Sequence, residues 1–353
     1  MRIGIDCHNL EGPRTGVGRY LWNLLKEWSR QDFVYNSRDR THCIQFFLYF
    51  KNEIPQDIEE AVNFKSIPYT HDRGYMVRWN IRVLNVKSNA LFKHWHLARA
   101  AKKDKVDVLF CPDYVLPFFL DSRIKTALTI HDIIYEARPN EYSWPSVADR
   151  ILLAWASRQS VKKADVIFAP SEFTRSEILK YYKANPKRVV VTPLAPDPIF
   201  RHYSHDPRNS VTDEIIKKYG IHGKYIFFVG SIFNRRFIPQ KILAFAKFAK
   251  THVDFHFLII GKNYTKPYQD ISALVAGANE ELGREAIIWR TFVSDEELVR
   301  LYNGAFATLW LSSYEGFGLP VLESMACGTP VITSRGGSLP EVAGDAALYV
   351  EPP

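Results

Sequence analysis

The feature that most constrains this chain is an alternation that runs through it twice. Short apolar runs with strand character end in polar or glycine-bearing loops, and stretches with helical spacing follow them. "RIGIDC" (2–7) leads into "GVGRYLWNLLKEW" (16–28), and further strands are expected at 43–50, 106–112, 125–132, 165–171 and 188–196. Helices are expected at 143–164, with Ser143 as cap, and at 172–182. The pattern restarts at "KYIFFVGS" (224–231) and continues with strands at 254–262, 286–293, 306–313, 330–336 and 346–352. Helices at 239–252, 294–305 and 320–327 alternate with them. Such alternation builds parallel sheets covered on both faces, with ligands at the C-terminal ends of the strands. The expected fold is therefore α/β, with two doubly wound Rossmann-like domains facing each other across a cleft. They span 1–192 and 224–353, and the proline-, aspartate- and histidine-rich stretch 193–223 is expected to link them. The sequence closes on "YVEPP" directly after its last strand, so the second domain's final helices are expected beyond residue 353.

Length suits this reading, since 353 residues can form two cores. No apolar run approaches the roughly 20 residues of a membrane-spanning helix. "MRIGIDCHNL" has no apolar leader core. The cysteines, Cys7, Cys43, Cys111 and Cys327, are scattered and form no CxxC, which fits a reducing cytoplasm and no zinc site. The net charge of +8 is concentrated between His71 and Lys105. Arg73, Arg78, Arg82, Lys87, Lys93, Arg99, Lys102, Lys103 and Lys105 are opposed there only by Asp72 and Asp104. Trp79, Phe92 and Trp95 interleave. Basic and aromatic residues together suit an anionic membrane surface, with a solvated helix face as the plainer alternative. No motif for nucleic acid accompanies the charge.

The stretch "SSYEGFGLPVLESMACGTPV" (312–331) carries the densest chemistry. Gly316 and Gly318 permit close backbone approach, and Pro320 suits the first turn of a helix. The amides of Phe317, Gly318 and Leu319 then lie at a helix N-terminus, a favourable place for an anion such as a diphosphate. Glu315 and Glu323 flank this start. They read as an acid/base pair, as a clamp on sugar hydroxyls, or as ordinary loop and helix-start acids. "EGPRTGVGRY" (11–20) is half a dinucleotide fingerprint, because Gly16 and Gly18 are not followed by the third glycine. His131 closes a parallel strand, where it would face a ligand. No D-x-D, Walker A or G-x-S-x-G occurs, and no His/Cys cluster has metal-ligand spacing.

"SSYEGFGLPVLESMACGTPVITSRGGSLPEVAGDAAL" strongly resembles the retaining, GT-B-fold glycosyltransferases with the E-x7-E signature, the large group 1 family that includes bacterial mannosyltransferases. The resemblance covers nearly the whole chain, through "TGVGRY", "TIHD", "APSEFTRSEI", "FVGSIFNRR" and "VSDEELVRLYNGA" in the expected order. It implies that Glu323 holds the ribose hydroxyls of a nucleotide. Glu315 would contact the donor sugar, with the backbone of Phe317, Gly318 and Leu319 fixing sugar and diphosphate. Arg235 and Arg236 match the pair that grips the donor diphosphate, although relatives often carry Arg-Lys there. Gly16, Gly18 and Arg19 would face the donor phosphates, with a packing role as the alternative for the last two. His131 would stand beside the reacting sugar, with Asp132 orienting it or the loop, and Glu341 would be structural.

The resemblance further implies a metal-independent retaining transfer with no cofactor beyond a nucleoside-diphosphate sugar. The departing diphosphate would take the acceptor proton, so that Glu315 and His131 position rather than trade protons. The expected donor is GDP-mannose, with UDP-sugars and dTDP-rhamnose as alternatives. The expected acceptor is a lipid-linked or growing surface polysaccharide, bound by domain 1–192 while domain 224–353 binds the nucleotide sugar, in an enzyme that is cytoplasmic and peripheral to the membrane. A sugar-nucleotide epimerase, a phosphorylase, or a non-catalytic binding protein on the same fold is the competing class. The intact Glu315, Glu323, Arg235 and His131 weigh against the last of these.

Overall fold

A computed structural model describes residues 1–12, 16–30, 44–61, 77–139, 141, 146–203 and 210–352. The chain divides into two compact units. The first comprises Met1–His131, Ala148–Ala169 and Ile178–Thr192; the second comprises Asp132–Val147, Pro170–Glu177 and Pro193–Pro353.

The first unit holds a sheet of β1 (Arg2–Asp6), β2 (Ile44–Phe50), β3 (Val77–Val83), β4 (Val108–Cys111), β5 (Lys125–Thr129), β6 (Val166–Ala169) and β7 (Val189–Val191). Their spatial order is β3-β2-β1-β4-β5-β6-β7, and every pairing is parallel. The strand order reverses between β1 and β4, where Ile3 lies opposite Val108. Ile5, Leu21, Leu25, Leu48 and Phe50 are fully buried in the core that the helix Gly16–Arg30 closes over the sheet.

The second unit holds β8 (Lys224–Val229), β9 (Phe255–Ile260), β10 (Ile287–Arg290), β11 (Ala307–Trp310), β12 (Val331–Thr333) and β13 (Ala347–Tyr349). Their order is β10-β9-β8-β11-β12-β13, again parallel, with the reversal between β8 and β11. Every residue of β9 is buried, the unbroken apolar run expected of a strand covered on both faces. Helices Ile238–Ala249 and Ile271–Leu282 contribute to one core layer, and helix Asp295–Gly304 to the other. Ser294 starts that last helix with a capping box closed by Glu297.

Three expectations change. The basic window 71–105 yields an edge strand, β3, and a helical stretch from Asn89 to Lys103, while residues 71–76 lie outside the described residues. Within it, Trp79 stacks on Phe46 at 4.3 Å, Phe92 is fully buried, Lys93 is buried, and Arg82 pairs with Asp104. Packing thus takes Phe92 and Lys93 out of the basic surface, whereas Arg78, Arg82, Lys87, Arg99, Lys102, Lys103 and Lys105 stay exposed. The stretch 193–223 contains the helix Ser210–Lys218, and Phe200, Tyr219 and Ile221 enter a core of the second unit. Burial of those three side chains makes the stretch part of that unit, which a count of prolines could not show. The long helix begins at Val147, and the proposed cap Ser143 falls outside the described residues.

Candidate active site

The reversal point of the second sheet gathers the acids and bases of the signature. Arg235 and Arg236 follow β8 in a short helical turn, Asn234–Arg236, and Glu315 follows β11. The two loops are tied together by the Ser313 amide, which donates to the Arg235 carbonyl at 2.9 Å. Arg236 grips Glu315 through two parallel bonds, Nε to Oε1 at 2.8 Å and Nη2 to Oε2 at 3.1 Å. Its guanidinium also lies 4.6 Å from the Trp310 ring centre and donates to the Ser231 carbonyl.

Arg235 is held differently. Its guanidinium stands 4.4 Å from the Phe233 ring centre, and its Nε is 3.9 Å from Glu315 Oε1. That Nε is buried without a hydrogen-bond partner. A buried charged donor left unsatisfied is costly unless a ligand supplies the acceptor. Burial and the neighbouring Arg236 push the Arg235 pKa down, against the pull of Glu315, Asp132 and Glu141. An anion placed there would complete its coordination. Of the two arginines, Arg235 is the one with bonding capacity to give.

Glu315 cannot serve readily as an acid. Burial alone would raise its pKa, but the charges of Arg236 and Arg235 outweigh burial and hold it below the usual carboxylate range. Nearby, burial raises the pKa of Asp132, whose Oδ1 accepts from the Ile134 amide and so shapes its own loop.

The loop carrying Glu315 is fixed by close backbone packing. An added Cβ on Gly336 would lie 1.9 Å from the Ser312 carbonyl oxygen, so only glycine fits. Ser338 donates from its amide and its hydroxyl to the Glu315 carbonyl, and its hydroxyl also reaches the Phe317 carbonyl. Ser171 and Thr174 both donate to the Gly316 carbonyl, at 2.6 and 2.9 Å. Gly318 then turns the chain at φ 104° into the helix Leu319–Ala326. Glu323 is buried on this helix, and its Oε2 accepts from the Tyr302 hydroxyl at 3.0 Å. Glu341 accepts from the amides of Glu172 and Phe173, at 2.7 and 3.1 Å, and thereby caps the start of helix Glu172–Tyr182.

The structure thus brings together Arg235, Arg236, Glu315, Phe317, Gly318, Leu319 and Glu323 in the second unit. Asp132 and Glu341 also belong to the second unit, whereas Gly16, Gly18, Arg19 and His131 belong to the first. Gly16 opens the helix Gly16–Arg30, and Gly18 and Arg19 lie in its first turn, whose amides have no acceptor within the helix. Gly18 is buried, while residues 13–15 lie outside the described residues. His131 follows β5, half-buried, with Nε2 donating to the Pro112 carbonyl at 2.9 Å and the Tyr20 ring edge-on at 4.9 Å. Burial lowers its pKa, so the imidazole is neutral near pH 7. Sequence reasoning passed over Gly336, Ser338, Ser171, Thr174 and Tyr302. The first two stood in the quoted signature as "GGS", but nothing in the spacing said which loop they brace.

Residues 14–198 match the model of Glycosyltransferase Family 4, and residues 211–353 match that of Glycosyl transferases group 1. The chain is 28% identical over 356 residues to O-antigen chain mannosyltransferase B of Escherichia coli, covering 100% of this chain and 87% of that protein. It is 28% identical over 300 residues to the O-antigen chain mannosyltransferase RfbU of Salmonella typhimurium, covering 80% of this chain and 74% of that protein. Among solved structures it is similar to Anabaena Alr3699/HepE in complex with UDP and glucose, with TM-score 0.68 and 14% identity over 100% of this chain and 86% of that one. It is also similar to WaaG, a glycosyltransferase involved in lipopolysaccharide biosynthesis, with TM-score 0.64 and 16% identity over 100% and 86%. At such identities the likeness establishes fold, and that fold is GT-B, two doubly wound parallel sheets.

Proposed function

This chain belongs to Glycosyltransferase Family 4, and we propose that within it the protein moves mannose from GDP-mannose to a lipid-linked or growing surface polysaccharide, with retention and without a metal. Both curated relatives named above are O-antigen mannosyltransferases, which supports the sugar and the acceptor class. The observation that carries the chemistry is the unsatisfied, buried Nε of Arg235 beside the Arg236–Glu315 fork. That arrangement suits a leaving diphosphate, whose growing charge the arginines stabilise.

In this reading Glu323 receives the ribose hydroxyls on the carboxylate that Tyr302 orients. The amides of Phe317, Gly318 and Leu319 face the diphosphate and sugar, and in the first unit the amides at Gly16 and Gly18 offer an anion-favouring helix start of their own. Glu315, ionised and locked to Arg236, accepts sugar hydroxyls and gives up no proton. The acceptor proton goes to the departing diphosphate on the face where the new bond forms. His131, neutral and fixed by Pro112, positions the sugar.

A panel of sugar nucleotides in thermal-shift measurements tests the donor, because a ligand that binds only the folded state raises Tm. GDP-mannose should give the largest rise, and a larger rise with a UDP- or dTDP-sugar overturns the donor assignment. Absence of both binding and sugar transfer across the panel overturns the enzyme reading in favour of a non-catalytic protein.

The enzyme would then sit on the cytoplasmic face of an anionic membrane, through the exposed part of the basic window together with a neighbouring helix. Leu91, Trp95 and Phe119 are exposed, and so are Ile151, Leu152 and Trp155 on the helix Val147–Lys163. Trp95 meets Phe119 at 5.8 Å, and Phe118 meets Trp155 at 5.1 Å, so the two helical stretches share one aromatic cluster. Exposed Arg99, Lys103 and Arg150 on the same stretches supply the charge that complements anionic headgroups.

A further inference from the structure

The first unit has a reversal point of its own, between β1 and β4, and it carries an ionic cluster that none of the roles above uses. Asp6 ends β1 and is fully buried. Its Oδ1 accepts from the amide of His8 at 3.3 Å and from His8 Nδ1 at 2.7 Å, and its Oδ2 from Lys93 Nζ at 2.5 Å. The same Nζ reaches Asp113 Oδ1, just past β4, also at 2.5 Å. Asn9 Nδ2 donates to Asp113 Oδ2 at 3.2 Å. One buried cation thus holds two carboxylates from the two strand ends that flank the reversal.

Lys93 arrives there through a local irregularity. The helical stretch from Asn89 to Lys103 widens to a π-helical turn at Phe92–His96. Such turns insert a residue into an α-helix and recur at functional sites. Here Lys93 stands in the widened turn and is buried against the strand ends. Burying a lysine between carboxylates costs desolvation that an apolar residue would avoid, so stability alone does not account for it. Clusters of this kind concentrate at functional sites.

The outer part of the cluster is open. His8 and Asp113 keep 18% and 19% of their side-chain surface, while Asp6 keeps none. His8 Nε2 stands 3.7 Å from Asp113 Oδ2, too far for a direct hydrogen bond. A hydroxyl beside both atoms can accept from the imidazolium and donate to the carboxylate at once. Burial opposes the charged imidazole, yet the Asp6 carboxylate outweighs it and raises the His8 pKa, which keeps that Nε2–H in place. Sugar hydroxyls are such dual donor–acceptors. The cluster's near balance of charge also suits a neutral polyol rather than a phosphate, in contrast to the arginine pair at the other reversal point.

We propose that His8, Asn9 and Asp113 form an acceptor-sugar subsite at the β1/β4 reversal, with Lys93 as the buried positioning residue that aligns Asp6 and Asp113. The subsite rests on the glycosyltransferase reading and adds to it where a non-reducing terminal sugar is gripped. The test uses the full chain and saturation-transfer NMR with methyl α-mannoside and with α1,2- and α1,3-linked mannobiose. Donor binding is followed in parallel as the GDP-mannose thermal shift. Wild type should show saturation transfer from at least one saccharide. His8→Gln and Asp113→Asn should weaken it at least tenfold and raise acceptor KM more than they lower kcat, with the GDP-mannose shift retained. Lys93→Met should do the same, and a GDP-mannose shift equal to wild type certifies that it folds. Unchanged acceptor KM in His8→Gln and Asp113→Asn, or no saccharide signal from wild type while GDP-mannose still binds, overturns the subsite alone. Loss of every sugar-nucleotide response in wild type overturns the reading on which it stands.

Discussion

At the scale of single residues, the two arginines after β8 are unequal although their sequence positions suggest a pair. Arg236 is spent on Glu315, and Arg235 retains an unsatisfied donor. Arg235→Ala should therefore lower kcat by about 10²–10³, the scale seen when a charge-stabilising donor is removed from a reaction centre. Arg236→Ala should additionally destabilise the fold, because it strands the buried Glu315. Glu323→Ala should raise donor KM by roughly 10–100-fold with a smaller effect on kcat, in line with loss of charge-assisted hydrogen bonds. Steady-state kinetics with varied donor checks both, and unchanged constants in both variants would remove the site assignment. The sign of the Glu315 shift adds a pH consequence. Its folded pKa is depressed below 4.5, so its stabilising contribution is present above that value and is lost as pH falls through the folded one. The acid limb of a kcat profile above pH 5 must then belong to another group.

At the scale of elements, function is set where strands end and helices begin. Phe237 joins the turn Asn234–Arg236 to the helix Ile238–Ala249 at φ 53° and ψ 37°, the left-handed region. A bulky residue there is strained, whereas asparagine tolerates the conformation. Phe237→Asn and Phe237→Ala both lose the ring, so their difference isolates the backbone. Asn should be the more stable by about 1 kcal/mol in chemical denaturation. Equal midpoints would mean that the turn carries no strain. The helix starts themselves were legible, from Pro320 after Gly318 and from Ser294 before Glu297. Strand β3 was not, because "VRWNIRV" alternates charge with bulk and presents the same letters as a basic amphipathic surface. Only pairing with β2 and the stacking of Trp79 on Phe46 decide between them.

At the scale of the whole molecule, the net charge of +8 and the exposed aromatic cluster of the first unit make a joint prediction. The protein should sediment with vesicles rich in phosphatidylglycerol, less with pure phosphatidylcholine, and less in high salt. Trp95→Ser combined with Phe119→Ser should weaken binding at least tenfold, since each inserted ring contributes about 1.5–3 kcal/mol. Equal binding to neutral vesicles, or no loss in the double variant, would remove this surface from consideration. Charge reversal at Lys93 would test something else, since that lysine is buried between two carboxylates.

The sequence by itself determined the class of fold, because alternating strand and helix periods admit few solutions. It also determined the signature of Glu315, the glycine turn and Glu323, because these residues are local in the chain. Tertiary structure alone decided the partnerships. Arg236 and Glu315 are 79 positions apart, and Lys93 and Asp6 are 87 apart. The reversal of strand order, once in each unit, sets the loops after β8 and β11 together and the ends of β1 and β4 together, and the widened helical turn Phe92–His96 brings Lys93 to the latter. No reading of spacing along the chain contains that reversal, and so none could show which arginine was free or that a second polar cluster stood at the other reversal point.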